Sequence, residues 1–401
     1  MRWKFWVSLT AAGIAAGFIG FGLTELMHAI QHSAFGYSSG SFREGVGQAE
    51  PLRRWWVLLA CGIVAGGGWW ALHRFGKPLV SIKQSLSQPQ QGVPVLTTAV
   101  HSLLQIITVG MGSPLGREVA PREMSAAAAT AWLRRIRLND DEARILLAAA
   151  SAAGLAAVYN TPLSAILFAL ETMIVALTAA NIAAVALTVL TAVAVSRILL
   201  GDLVQYPLPV LEIPHSVLPF SVAAGLGAVA LSWLFQCSIA MLPPLKRGSG
   251  QMVLFSVAAF ALIGGISMYF PEVLGNGKAG NQLEFAGLVT GEDSLWLLAA
   301  KFAAVWLALA AGAYGGLITP SMMMGSTFTA AWLPLWNAYL PEVPVSTAAV
   351  VGAAAMLAVM QRMPLTAAVL VLELTRQPAA LLLPLLLAVG TGLLAGKKTA
   401  P

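Results

Sequence analysis

The chain has 401 residues, of which 58% are hydrophobic and only 10% are Asp, Glu, Lys or Arg, with a formal net charge of +6. Soluble domains carry roughly 25% charge, so this chain has too few charges to cover a water-facing surface. Together with a mean hydropathy of +0.78, this excludes a disordered chain, a coiled coil and a nucleic-acid-binding protein, and it leaves an integral membrane protein.

In chain order, the first apolar segment runs from Phe5 to about Ala34. It is too long for a signal peptide and lacks a clear cleavage site, so it reads as a retained helix. Gly13 and Gly17 within it, like Gly62 and Gly66 further on, allow close helix packing. His28 and His32 stand at i and i+4. With no carboxylate or cysteine partner in view they read as a helix-end pair, and no metal site is expected. Residues 37–53 form a polar loop in which Gly36-Tyr37-Ser38-Ser39-Gly40 fits the G-x-S-x-G elbow of hydrolases. It follows a membrane helix rather than a strand, so an enzyme built on Ser38 with His32 as base is the weaker reading.

Further stretches without a single charge follow at 55–73, 84–116, 145–170, 172–196, 213–245, 248–271, 302–341 and 377–396. Each is about as long as a membrane-spanning helix, roughly 20 residues, and some suffice for two. Strands would be shorter and would alternate polar with apolar residues. The expected fold is therefore all-α and polytopic, with ten or more membrane helices. Residues 272–293 are the second polar loop. Cys61 and Cys237, the only cysteines, fall in apolar segments and read as packing residues. The twelve Trp, including Trp55-Trp56 and Trp69-Trp70, fit interfacial belts. The basic residues cluster between apolar stretches, as cytoplasmic loops facing anionic lipid do. Arg2 and Lys4 at one end, with Lys397 and Lys398 at the other, place both termini in the cytoplasm.

Gly and Pro interrupt the apolar runs at Gly66-Gly67-Gly68, Gly112-Ser113-Pro114, Thr161-Pro162, Gly315-Gly316, Thr319-Pro320 and Met363-Pro364. Broken helices are tolerated inside a bilayer only where they line a cavity or are buried in protein, which is the mark of a transporter or channel core. An internal repeat supports this. Residues 152–171 and 354–373 share nine of 20 positions at a constant offset of 202, including Pro162/Pro364, Leu163/Leu365 and Glu171/Glu373. Upstream, GREVAP at 116–121 faces GLITP at 316–320. Two such halves, about 50–200 and 215–395, are what a duplicated transporter shows. No soluble regulatory domain is expected.

A charge in mid-membrane costs several kcal/mol, so each needs a reason. Four charges in Gly116-Arg117-Glu118-Val119-Ala120-Pro121-Arg122-Glu123 follow the uncharged run 84–116. A glycine loop opening a helix presents backbone N–H groups and a positive dipole end to an anion, and Pro121 fits the first turn. Glu118 beside such a site can occupy it as a tethered anion or leave it when protonated, as both gate and proton carrier. The plainer alternative is salt bridging at the membrane surface, and for Arg117, Arg122 and Glu123 pairing is the better reading. The N–H groups of Leu317 and Ile318 in the second loop offer an anion the same contacts, against the alternative of a helix-packing break.

GREVAP resembles the GREGP-type motif of the CLC chloride channel and transporter family, and GLITP resembles its GxFxP loop. The match covers about 105–176 and 310–376 in the family's order. This resemblance implies a CLC-type fold with two inverted repeats of broken and tilted helices, and a homodimer with one anion pathway per subunit. It makes Glu118 the gating glutamate and places anion contacts at Gly116, Arg117, Glu118, Val119, Gly316, Leu317, Ile318 and Thr319. Departures are informative. Where the family has a serine-bearing GSGIP-like loop, this chain has Gly76-Lys77-Pro78-Leu79-Val80, leaving Lys77, Leu79 and Ser81 as weak candidates. No Tyr follows Tyr339 to match the family's coordinating tyrosine, and Thr172 stands where proton-coupled members often have a second glutamate. These features look like the fluoride-exporting, proton-coupled branch. The expected function is fluoride/proton antiport in a bacterial-type inner membrane, with halide and protons as the species moved and neither cofactor nor enzymatic activity. Chloride transport, as a channel or as a chloride/proton exchanger, is the alternative.

Overall fold

The computed structural model describes residues 3–174, 176–242 and 245–396, so Arg2, Lys397 and Lys398, on which the orientation of the termini was argued, lie outside the described residues. Helices α1 (Trp3–Phe35), α2 (Phe42–Gln48), α3 (Pro51–Phe75), α4 (Ile82–Ser87) and α5 (Val95–Gly110) come first. Then follow α6 (Val119–Leu133), α7 (Asp140–Tyr159), α8 (Pro162–Thr172) and α9 (Ala179–Leu200). The second half contributes α10 (Val217–Ala240), α11 (Gly250–Tyr269), α12 (Lys278–Phe285) and α13 (Glu292–Ala310). The last are α14 (Ile318–Tyr339), α15 (Val345–Gln361), α16 (Pro364–Thr375) and α17 (Leu382–Gly396). No strand occurs among the described residues.

Among the described residues, eight helical segments are long and apolar enough to cross a membrane: α1, α3, α7, α9, α10, α11, α13 and the stretch Ala379–Gly396. This is fewer than the ten or more expected. The reason is local: α5, α8, α15 and α16 are apolar but only 16, 11, 17 and 12 residues long, because Gly and Pro cut the apolar runs into half-length pieces.

The cuts have the same backbone form in both halves. Gly112 (φ +99°) ends α5 and Gly312 (φ +76°) ends α13. The next N–H reaches back to Thr108 O in one case and Ala308 O in the other, a Schellman-type termination that needs a left-handed residue. Asn160 (φ 57°) closes α7 and Arg362 (φ 53°) closes α15. Thr161 and Met363 follow in near-identical extended conformations, at φ −127°, ψ 79° and φ −131°, ψ 74°. Each precedes a proline that opens the next helix, and proline forces its neighbour out of the helical region. The offset of 202 is thus a repeat of conformation as well as of letters.

By contacts the chain forms two compact units. The first comprises Met1–His28, Ala71–Ile107 and Arg117–Gln205. Its helices approach closely where side chains are missing. A Cβ on Gly13 or Gly17 of α1 would come within 2.6 Å of Thr188 O or Val195 Cβ on α9, and one on Gly154 of α7 would strike the Pro121 carbonyl. The second unit comprises Ala29–Trp70, Thr108–Gly116 and Tyr206–Pro401. Here Gly66-Gly67-Gly68, expected to break a helix, lies inside an uninterrupted α3. Gly62 and Gly66 instead let α3 close on α11, with their missing Cβ atoms 2.9 and 2.8 Å from Phe260 Cβ and Val253 Cα. Trp69 is no interfacial residue either. It is fully buried, with its ring centroid 5.3 Å from that of Tyr314. The second polar loop also differs from expectation. It folds into α12, whose Asn281 and Glu284 are both buried.

Candidate functional site

The two glycine loops that the motifs single out are joined to each other. Gly116 N–H donates to Gly316 O at 2.7 Å and Gly316 N–H to Gly116 O at 2.8 Å, an isolated antiparallel bridge between two loops. Only glycine fits at the neighbouring Gly315, whose added Cβ would lie 2.5 Å from Leu115 Cβ. The loop that leads into Gly116 is held by a lysine that sequence reasoning passed over. Lys301 of α13 is wholly buried, and its Nζ donates to the carbonyls of Pro114 (3.1 Å), Val273 (2.9 Å) and Gly275 (3.0 Å). Three carbonyl dipoles take the place of a counter-ion and hold the loop that leads into Gly116.

Past Gly116 the chain enters α6, with Glu118 as N-cap and Pro121 in the first turn. The Glu118 side chain does not cap its own helix. It is fully buried, and its Oε2 accepts a hydrogen bond from Tyr159 Oη at 3.2 Å. The first N–H groups of a helix stand outside its internal ladder and bear the positive end of its dipole. Arg117 is held not by a carboxylate but by Gln205 Oε1 at 3.5 Å, with its guanidinium 5.3 Å above the Tyr159 ring. Arg122 likewise lies over an aromatic ring, that of Phe168 at 4.4 Å. Glu123 does pair, accepting from Gln105 Nε2 at 3.1 Å and facing His101 Nε2 at 3.5 Å.

The second loop enters α14 in the same way, with Leu317 as N-cap, Ile318 first in the helix and Pro320 in the first turn. Ile318 and Thr319 are buried. Asn281 of α12 braces this start: its Nδ2 donates to Tyr206 Oη (3.3 Å) and Thr319 O (3.5 Å), and its Oδ1 accepts from Ser326 Oγ (2.9 Å).

Of the expected anion contacts, Gly116 and Gly316 spend their N–H groups on each other, while Glu118, Val119, Leu317, Ile318 and Thr319 lie at the two helix starts. Lys77 and Ser81 are exposed and Leu79 is half-buried, and Ser81 is the N-cap of α4 in a capping box with Gln84. Thr172 ends α8 with its hydroxyl on Phe168 O. Ser38 sits on an exposed bend, and His32 packs edge-on against the Tyr37 ring at 4.5 Å, so the hydrolase pattern has neither a strand before it nor a base aimed at it.

Lys301, Tyr159 and Asn281 were missed. Lys301 stands one residue before the uncharged run 302–341, where a search for charge-free stretches stops, yet at the offset of 200 that pairs Gly116 with Gly316 it falls on His101. Extending the repeat upstream would have found it.

Glu284, on α12 and outside the eight long apolar helices, is buried with Oε1 lacking a hydrogen-bond partner. Burial pushes its pKa up to about 8, against a smaller opposing effect of the Ser294 hydroxyl. The folded protein therefore holds a proton that the unfolded chain releases near pH 4.5. By linkage, stability falls as pH rises from about 4.5 to about 8. Thermal midpoints of the purified protein across that range are expected to decline, and Glu284→Gln to flatten the decline. Parallel curves for the two proteins would refute this role.

The sequence profile described as voltage gated chloride channel matches residues 61–397. This chain belongs to the CLC family. Curated relatives of this CLC chain include the "Chloride channel protein CLC-f" of Arabidopsis thaliana, 27% identical over 94% of the chain and 52% of the relative. The chain thus spans about half the length of that plant protein. The "Voltage-gated ClC-type chloride channel ClcB" of Salmonella typhimurium is 26% identical over 91% of the chain and 89% of the relative. The "H(+)/Cl(-) exchange transporter ClcA" of Vibrio cholerae is 25% identical over 94% and 82%. Among solved structures, a slow cyanobacterial Cl-/H+ antiporter superposes with a TM-score of 0.83 at 18% identity, over 99% of this chain and 95% of that one. A CLC-type fluoride/proton antiporter superposes at 0.76 and 18%, over 100% and 98%. The CLC antiporter fold is therefore that of this chain, and the relatives' names describe channels and exchangers rather than enzymes.

Proposed function

We propose that this chain carries a halide across the membrane in exchange for protons, with fluoride as the exported ion, and that it works as a homodimer in the inner membrane with both termini in the cytoplasm. The observation that carries the proposal is Glu118: a fully buried carboxylate at the start of α6 that leaves its own helix uncapped and is held instead through a hydrogen bond from a hydroxyl. The amides at the start of α6 suit a dehydrated anion, and Glu118 beside them opposes its entry by charge when ionised. Protonation removes its charge, so it yields to the halide, and one group thereby links the two ions. Two negative charges in a poorly hydrated pocket exclude each other, which makes the exchange obligatory. Fluoride is favoured by the lack of a serine in the 76–80 loop and of a tyrosine after Tyr339, the departures shared with the fluoride-exporting branch. The two halves, about 50–200 and 215–395, form one transport domain in this reading.

Chloride transport is the second reading, favoured by the names of the curated relatives. Purified protein in liposomes decides between them. Outward fluoride gradients are expected to drive proton uptake, with chloride at least about tenfold slower, a difference of about 1.4 kcal/mol in barrier. Equal rates for the two halides would overturn the fluoride assignment, and anion flux without proton movement would overturn antiport.

A further inference from the structure

Two first-half residues whose counterparts in the repeat differ touch each other. At the offset that pairs Gly116 with Gly316, Glu118 falls on Ile318; at the offset that pairs Pro162 with Pro364, Tyr159 falls on Gln361. Carboxylate and phenol thus belong to the first half alone, and Tyr159 Oη lies 3.2 Å from Glu118 Oε2. Tyr159 is 3% exposed and Glu118 0%, so bulk water does not compete for the bond and the low dielectric strengthens it. The phenol is also aimed. Tyr159 is the last residue of α7, and the left-handed Asn160 after it is tied through Nδ2 to Asp202 Oδ1 (2.7 Å) and Leu203 O (3.0 Å) and through Oδ1 to Arg197 Nε (2.8 Å). Arg117 covers the ring.

We propose that Tyr159 is a positioning residue of the gate: its hydroxyl holds the ionised Glu118 carboxylate in place and, once that carboxyl is protonated and turns away, offers the same hydrogen to the arriving anion. This rests on the reading of Glu118 given above and deepens it. A phenol is a donor as well as an acceptor, and facing a carboxylate oxygen it donates. A bond to a charged acceptor is stronger than one to a neutral acceptor, so the hydroxyl favours the ionised carboxyl and sets the pH at which the gate opens. The other charged groups around the pair are Arg117 over the ring, Arg122 in α6, which interacts electrostatically with Glu118 and Glu123, and His101 of α5 facing Glu123. Tyr159→Phe removes one oxygen and leaves all of them in place. Fluoride accepts hydrogen bonds more strongly than chloride, so loss of the hydroxyl penalises fluoride more.

The test is the pH dependence of fluoride and of chloride efflux from liposomes, followed with ion-selective electrodes. Tyr159→Phe is expected to move the midpoint of the fluoride profile up by about one pH unit, equivalent to about 1.4 kcal/mol, and to lower the fluoride-to-chloride ratio. Placing 3-fluorotyrosine at 159, a stronger donor of nearly the same shape, is expected to move the midpoint down. In a Glu118→Gln background the profile is expected to be flat, and Tyr159→Phe to change nothing further. A Tyr159→Phe profile superimposed on that of the wild type, with Glu118→Gln flat, overturns the proposal and leaves the Glu118 reading standing. A Glu118→Gln protein that keeps the wild-type profile overturns that reading itself. Should Tyr159→Phe not fold, the fluorotyrosine protein decides, and an unshifted midpoint overturns the proposal.

Discussion

Methionine in place of Lys301 is expected to lower the thermal midpoint of the purified protein sharply and to take most of the transport with it. The substitution keeps the length of the side chain but removes every donor, so the carbonyls of Pro114, Val273 and Gly275 lose a shared partner at a site with no solvent access. A buried acceptor left unsatisfied costs about 1–3 kcal/mol. Against this stands the relief of no longer burying an ammonium, which makes replacement of some buried ions neutral. The first effect wins here because the three acceptors are backbone groups of two loops, unable to rotate away as side chains do. A net loss on the order of 3 kcal/mol follows. Lys301→Arg, which keeps charge and donors, is expected to lose less than Lys301→Met. Differential scanning fluorimetry in detergent, with gel filtration, reads both. A methionine variant that melts with the wild type would show that the ammonium is not what holds these loops.

Glutamine in place of Glu118 is expected to leave anion flux running while proton flux driven by an anion gradient falls by at least about 100-fold, the usual scale on which a positioned acid–base group contributes. Glutamine is isosteric with the protonated acid, and its Oε1 can still accept from Tyr159 Oη, so the packing around this buried group should be kept. The variant removes the ability to ionise and little else. Simultaneous recording of halide efflux and internal pH in liposomes separates the two fluxes. Persistent proton movement in the glutamine variant would rule Glu118 out as the carrier.

The parts of this molecule that could be read from its letters are those in which a residue's identity forces its backbone. Pro162 and Pro364 open helices and Gly112 closes one, because proline suits a first turn and glycine a left-handed end. Glu118 stood out because an acid beside a glycine loop after a long uncharged run needs a partner, and the structure gives it a buried one in Tyr159. Side chains whose meaning depends on distant partners were not legible. The acceptors of Lys301 are carbonyls, which leave no signature in sequence. Gly66-Gly67-Gly68 read as a break because glycine lowers helix propensity, but the space it frees for α11 outweighs that penalty. Trp69 went to the core rather than an interface because Tyr314 gives its ring a partner. Arg117 found an aromatic face where a carboxylate was expected, whereas Arg122 has both a ring and its neighbouring glutamates.

The bridge between Gly116 and Gly316 also bears on what can move. Two opposed amide–carbonyl bonds at 2.7 and 2.8 Å splice the loops together, and Lys301 ties the first of them, at Pro114, to the carbonyls of Val273 and Gly275. Neither loop can swing without dragging the other or breaking both bonds. On the transport proposed above, gating then falls to the buried Glu118 side chain rather than to the loops.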